Sequence, residues 1–97
     1  MSVMVTAEFK FKPEAADKMI ETFKAILPDT RAYAGNEGLQ SYYEASTQSL
    51  LLVETWESSE HQQAYLGLRV ESGLLDQIGD GLAADPAFRT FDIREDV

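Results

Sequence analysis

Val3, Val5, Ala7, Phe9 and Phe11 alternate with Met4, Thr6, Glu8 and Lys10 along SVMVTAEFKF, a period of two that predicts a strand with one apolar face. The period then lengthens. Pro13 stands where the first turn of a helix tolerates proline, and Ala16, Met19, Ile20, Phe23, Ile26 and Leu27 follow at helical spacing. Pro28 is expected to kink this helix or end its regular part, with TRAY continuing as a further turn. AGNEG interrupts the pattern, which places the single asparagine, Asn36, in a loop. LQSYYEA and SLLLVETWE predict two strands joined by the polar link STQ, a hairpin. Tyr42 and Tyr43 point to opposite faces of the first of them.

Beyond the hairpin, Ser59 followed three residues later by Gln62 has the form of a capping box, and His61, Ala64, Tyr65 and Leu68 fall on one face of the helix it opens. ESG interrupts that helix. Leu74, Leu75, Ile78 and Leu82 predict a further short helix ended by GDG and Asp85-Pro86, and FRTFDIR predicts a last strand. The element order is β-α-β-β-α-β with the second helix broken. This is the ferredoxin-like, or split βαβ, order: an α+β fold in which helices cover one face of an antiparallel sheet. No internal repeat, linker or low-complexity stretch divides residues 1–97, which are expected to form a single domain.

The second hairpin strand places a charge on an apolar face. Leu50, Leu52, Glu54 and Trp56 share one side, and Leu51, Val53, Thr55 and Glu57 the other. A carboxylate on a covered strand face must be paired, hydrated or shifted in pKa. Two roles are open to Glu54: an ion pair with Arg31, Arg69 or Arg89, or a general base beside Trp56. Trp56 itself is either a core side chain or the lining of a pocket. His61 has the one ordinary pKa near neutrality and is the first candidate for a proton shuttle, the alternative being a solvated histidine at a helix start. Tyr65 and Arg69 follow at successive turns. A phenol is a poor base at neutral pH but a good hydrogen-bond donor, and Arg69 can stabilise an anion or neutralise acidic neighbours.

Charge and composition narrow the partners. Seventeen Asp and Glu against eight Lys and Arg leave a formal net charge of −9, which repels nucleic-acid phosphates and anionic lipid surfaces. Without cysteine there is no disulfide, thiolate nucleophile or Cys-based metal site, and no His-rich or Asp-x-Asp-x-Gly pattern points to another metal. The amino terminus lacks the form of a signal peptide, and no apolar run approaches the ~20 residues of a membrane span, so a cytoplasmic location is expected. A domain of 97 residues has a small core, and in a monomer the sheet face carrying Leu51 and Val53 would lie open. A homodimer is expected.

VETWESSEHQQAYL, with AEFKFKPEAADK at the start of the first helix, resembles the antibiotic biosynthesis monooxygenase family, and its quinol monooxygenase branch most of all. Glu54, Trp56, Glu57 and Ser58 fit the family's strand end, Glu-x-Trp-Glu-Ser, and the element order agrees over nearly the whole chain. The resemblance implies a dimeric α/β barrel with a pocket between the sheet and its helices. It also implies oxidation of a quinol, anthrone or similar phenolic aromatic by O2 with no cofactor, neither metal nor flavin. Catalytic roles are then expected for His61, Glu54 and Tyr65, and substrate binding for Trp56, Arg69, Leu52 and Phe9.

The departures from the family are specific. Haem-degrading relatives carry an asparagine where Ala7 stands and a histidine late on the helix after the tryptophan strand, where this chain has Val70. Haem degradation is therefore not expected. Leu52 replaces an asparagine of anthrone-oxidising relatives, and Tyr65 a histidine of quinol-oxidising ones. These losses keep two alternatives in view: a non-catalytic dimeric barrel that binds a small apolar ligand, and an isomerase or cyclase on the same architecture.

Overall fold

Strand β1, Val3–Lys10, is central to the sheet, pairing antiparallel with β3, Ser49–Trp56, on one side and with β4, Ala87–Asp92, on the other. Strand β2, Asn36–Glu44, lies beyond β3, so the order across the sheet is β2-β3-β1-β4. The structure is a computed structural model and describes residues 2–97. Helix α1, Ala16–Ala32, connects β1 to β2. Helix α2, Ser59–Glu71, and the short α3, Leu74–Gly79, connect β3 to β4. The result is the α+β, ferredoxin-like arrangement that the order of elements predicts.

The register explains which face the helices cover. Val3, Val5, Ala7 and Phe9 stand opposite Trp56, Glu54, Leu52 and Leu50, and all eight are buried. Met4, Thr6 and Glu8, with Thr55, Val53 and Leu51 across from them, turn to the other face and are only half-buried. The main core packs Phe9, Phe11, Leu50 and Leu52 of the sheet side against Met19, Phe23 and Leu27 of α1 and Ile78 of α3. Phe23 joins the layers, its ring 4.9 Å from that of Phe9 and 5.9 Å from that of Phe11. Each such buried side chain contributes about 1.5–3 kcal/mol, more than helix propensity can supply.

Some expectations are displaced. Pro28 lies inside α1 instead of ending it. Its missing N–H orphans the carbonyl of Lys24, but both residues are on the exposed side, while Leu27 and Thr30 keep the inner side packed. Asn36 begins β2 and is not in a loop. It pairs with Trp56, and its Oδ1 accepts the Gly38 N–H at 3.0 Å across a register shift. Helix α2 is capped by Ser58, one residue before Ser59, because the Ser58 Oγ accepts the backbone N–H of His61 at 3.2 Å. The inner face of α2 is made by Gln62, Tyr65, Leu66 and Arg69, leaving Ala64 and Leu68 exposed. Two polar members disguise that series in the sequence. Leu82 lies past the end of α3 and bridges to Phe11. Among the described residues no helix is long and apolar enough to cross a membrane.

Candidate functional site

A cavity of about 50 Å³ lies between the sheet and the three helices. Ala7, Phe9 and Leu52 contribute to it from the sheet, and its lining is apolar except where Glu54, Thr30, Tyr65 and Arg69 reach it. Four groups able to exchange or hold protons and charge therefore meet in a largely apolar space, where each electrostatic contact is stronger than in bulk water.

Glu54 is 6% exposed. Its Oε1 accepts a hydrogen bond from the indole Nε1 of Trp56 at 2.7 Å. Burial pushes its carboxyl above the ordinary carboxylate value, and the indole hydrogen bond pulls the other way without cancelling the effect. The expected ion pair with an arginine does not form. Arg89 pairs with Thr6 on the opposite sheet face and lies over the ring of Phe91 at 4.7 Å, Arg31 is exposed, and Arg69 is engaged elsewhere. Glu54 is thus a buried carboxylate with no positive partner among the described residues.

On the helix side, Arg69 Nε donates to Tyr65 Oη at 2.6 Å, while its Nη2 donates to the backbone carbonyl of Ile26 at 3.0 Å. Thr30 Oγ1 shares a further hydrogen bond with the same phenol oxygen. One guanidinium thus ties α2 to α1 and sets a positive charge behind the Tyr65 hydroxyl, the arrangement that favours a developing oxyanion nearby.

The remaining site candidates divide. Leu52 and Phe9 border the cavity, as Glu54, Tyr65 and Arg69 do. Trp56 does not. It is fully buried beneath the site in a second cluster with Val3 and Val5, its ring 5.4 Å from Tyr65 and 6.4 Å from Tyr33. Trp56 therefore stands behind the cavity wall, packed as a core side chain.

His61 is also outside the cavity lining. Its Nδ1 is 2.6 Å from Ser58 Oγ, and its Nε2 is 4.0 Å from Glu57 at a side chain 40% exposed. The ring rests on Gly35, where a β-carbon would come within 2.5 Å of it and where φ is +92°, so only glycine fits both the turn and the contact. The position of His61 supports the solvated helix-start role over the shuttle.

Thr30 also reaches the cavity, and its sequence signal is the helical spacing of Phe23 and Leu27, which it continues past the interruption at Pro28. Phe88 also borders the cavity, on the helix-facing side of β4 opposite Ala7.

The sequence matches the model of the antibiotic biosynthesis monooxygenase family over residues 2–91. A search of curated proteins finds no match. Among solved structures, Rv0793 from Mycobacterium tuberculosis superposes with a TM-score of 0.86 at 23% identity, covering 99% of this chain and 98% of its own. A conserved protein from Methanosarcina mazei gives 0.84 at 15% identity, covering 97% and 94%. A Streptomyces coelicolor monooxygenase, from the gene ActVA-Orf6 and in complex with nanaomycin D, gives 0.77 at 16% identity, covering 99% and 90%. At these identities the structural likeness speaks to fold alone. The match over residues 2–91 goes further, and by it the chain belongs to the antibiotic biosynthesis monooxygenase family.

Proposed function

We propose that this protein is a cofactor-independent monooxygenase that oxidises a phenolic aromatic, of quinol or anthrone type, with O2. The observation that carries this is the convergence of an unpaired buried carboxylate and an Arg69-backed phenol on one apolar cavity. Glu54 in its ionised form removes a proton from the substrate's hydroxyl or activated methylene. Its raised pKa makes it a better base than an exposed carboxylate. The resulting anion reduces O2 directly: a ring CH2 becomes C=O, one oxygen atom entering the product and the other leaving as water with the two hydrogens. Tyr65 and Arg69 stabilise the oxyanion of the intermediate. A structural relative that holds nanaomycin D is consistent with a ligand of this size on this fold.

Cavities that admit a benzene ring are on the order of 150 Å³, so a space of about 50 Å³ must widen before it takes such a substrate. The wall that can give is the segment of Leu66, Leu74 and Leu75, whose side chains are only half-buried. The small resting volume also favours a second reading, a non-catalytic barrel that holds a smaller apolar ligand. Metal-free protein mixed with a dihydroxynaphthalene or an anthrone separates the two: accelerated O2 uptake is expected, without flavin or nicotinamide. Background autoxidation alone, with tight binding of a small apolar compound, would establish the ligand-binding protein instead.

We infer also that the half-buried face of Met4, Thr6, Leu51 and Val53 is covered by a second copy of the chain. Sedimentation at micromolar concentration is expected to give twice the 10.8 kDa of one chain. Leu51→Ala with Val53→Ala should weaken the dimer by at least about 100-fold, since each methylene lost from an interface contributes roughly 0.8 kcal/mol and the substitutions count twice. A purely monomeric wild-type species would remove the barrel.

A further inference from the structure

The indole N–H of Trp56 and the carboxylate of Glu54 form a closed pair beneath the cavity, and we propose that Trp56 is a positioning residue that aims this carboxylate at the substrate. The inference rests on the oxidative function above for its chemistry, but its geometry stands independently. Glu54 and Trp56 are two residues apart on one face of β3, a Cα separation of about 6.8 Å. Their polar atoms close to 2.7 Å because the indole reaches back along the strand.

The indole is held on several sides. Trp56 stands opposite Val3 on β1 and Asn36 on β2, packs on Val5, and meets the rings of Tyr33 and Tyr65. With no exposed surface it has no room to rotate without repacking that cluster. A rigid donor on Oε1 removes the torsional freedom of the carboxylate. No other hydrogen bond to Glu54 is present among the described residues, so Oε2 is the oxygen left to act, and Glu54 borders the cavity. A catalytic group gains much of its effectiveness from being held in one orientation.

The surroundings make the pair easy to follow. Of the elements packed around the cavity, only α2 brings other ionisable side chains to it, Tyr65 and Arg69. Those from α1, α3 and the neighbouring strands are Thr30 and apolar residues. The chain has one tryptophan, so the single indole ¹H–¹⁵N resonance of labelled protein reports on this hydrogen bond and no other.

The experiment follows that resonance through a pH titration in wild-type protein and in Glu54→Gln. One titration is expected in the wild type, beginning above the ordinary carboxylate range, and a flat response in Glu54→Gln, whose amide oxygen still accepts the N–H but cannot ionise. A flat response in the wild type, or a titration that survives Glu54→Gln, overturns the pairing. Trp56→Phe supplies the kinetic arm, since it keeps a ring in the core and deletes the N–H. It should lower kcat about tenfold, the scale of one hydrogen bond to a charged group, and move the acid limb of the kcat profile to higher pH with KM little changed. A lower melting temperature with an unmoved profile means that Trp56 is only structural, and a raised KM alone means that it is a binding platform. Either result overturns the positioning role. If no phenolic substrate is turned over and yet the indole titration vanishes in Glu54→Gln, the oxidative function fails together with the role in positioning a base, while the carboxylate–indole geometry stands.

Discussion

Glu54→Gln is expected to lower the proposed phenol-oxidising activity by roughly 10²–10⁴-fold, the usual contribution of a positioned acid–base group, and to make the protein more stable near neutral pH. Both effects come from one placement. The side chain is 6% exposed with a single hydrogen bond, and burial holds its carboxyl above the ordinary value of 4.5. Between that value and the raised one, the folded chain binds a proton that the unfolded chain has released. Stability then falls as pH rises through this window: the contribution is complete below the ordinary value and lost above the raised one. Glutamine has no proton to lose and accepts the same indole N–H. Thermal unfolding of the two proteins should therefore agree at low pH and diverge as pH rises, with the variant melting higher. Parallel melting curves from pH 4 to 8 would show that Glu54 carries no such penalty and would weaken its claim to be a base. A catalytic carboxylate that costs stability is the pattern expected where function and folding compete for one residue.

The element order and both faces of β3 were legible in the sequence because a period of two survives any tertiary context, and one misplaced residue would invert every side chain. The face of α2 was not, because Gln62 and Arg69 lie on its inner side while Leu68 is 47% exposed. Apolar spacing points the wrong way there, and only the packing against α1 decides. The site was half legible for a related reason. Glu54 stood out as a charge on an apolar strand, and Tyr65 and Arg69 as neighbours at helical spacing, and these three border the cavity. What no spacing could convey was which chemical partner each would take. Arg69 spends its guanidinium on Tyr65 and on the Ile26 carbonyl, which leaves Glu54 to an indole. His61 looked like the natural proton carrier by pKa alone, but its position is governed by the Ser58 cap and by Gly35, away from the cavity.

Trp56→Ala is expected to be the most damaging single substitution to folding, for reasons separate from catalysis. Truncating a fully buried tryptophan costs about 3–5 kcal/mol through lost burial and the cavity left behind. Here the void would open under Val3, Val5, Tyr33 and Tyr65 at once. The substitution also strips Glu54 of its hydrogen-bond donor, adding roughly 1–3 kcal/mol for a buried polar group left unsatisfied. Domains of this size commonly have only about 5–15 kcal/mol of stability in total, so the variant should stand at the edge of folding. Its denaturant midpoint should fall steeply, or the cooperative transition should vanish. Trp56→Phe, which refills most of the volume, should lose far less. If Trp56→Ala instead unfolded at a wild-type midpoint while substrate binding alone was lost, the indole would have to lie in the cavity wall. The burial that separates the backing of this site from its lining would then be wrong.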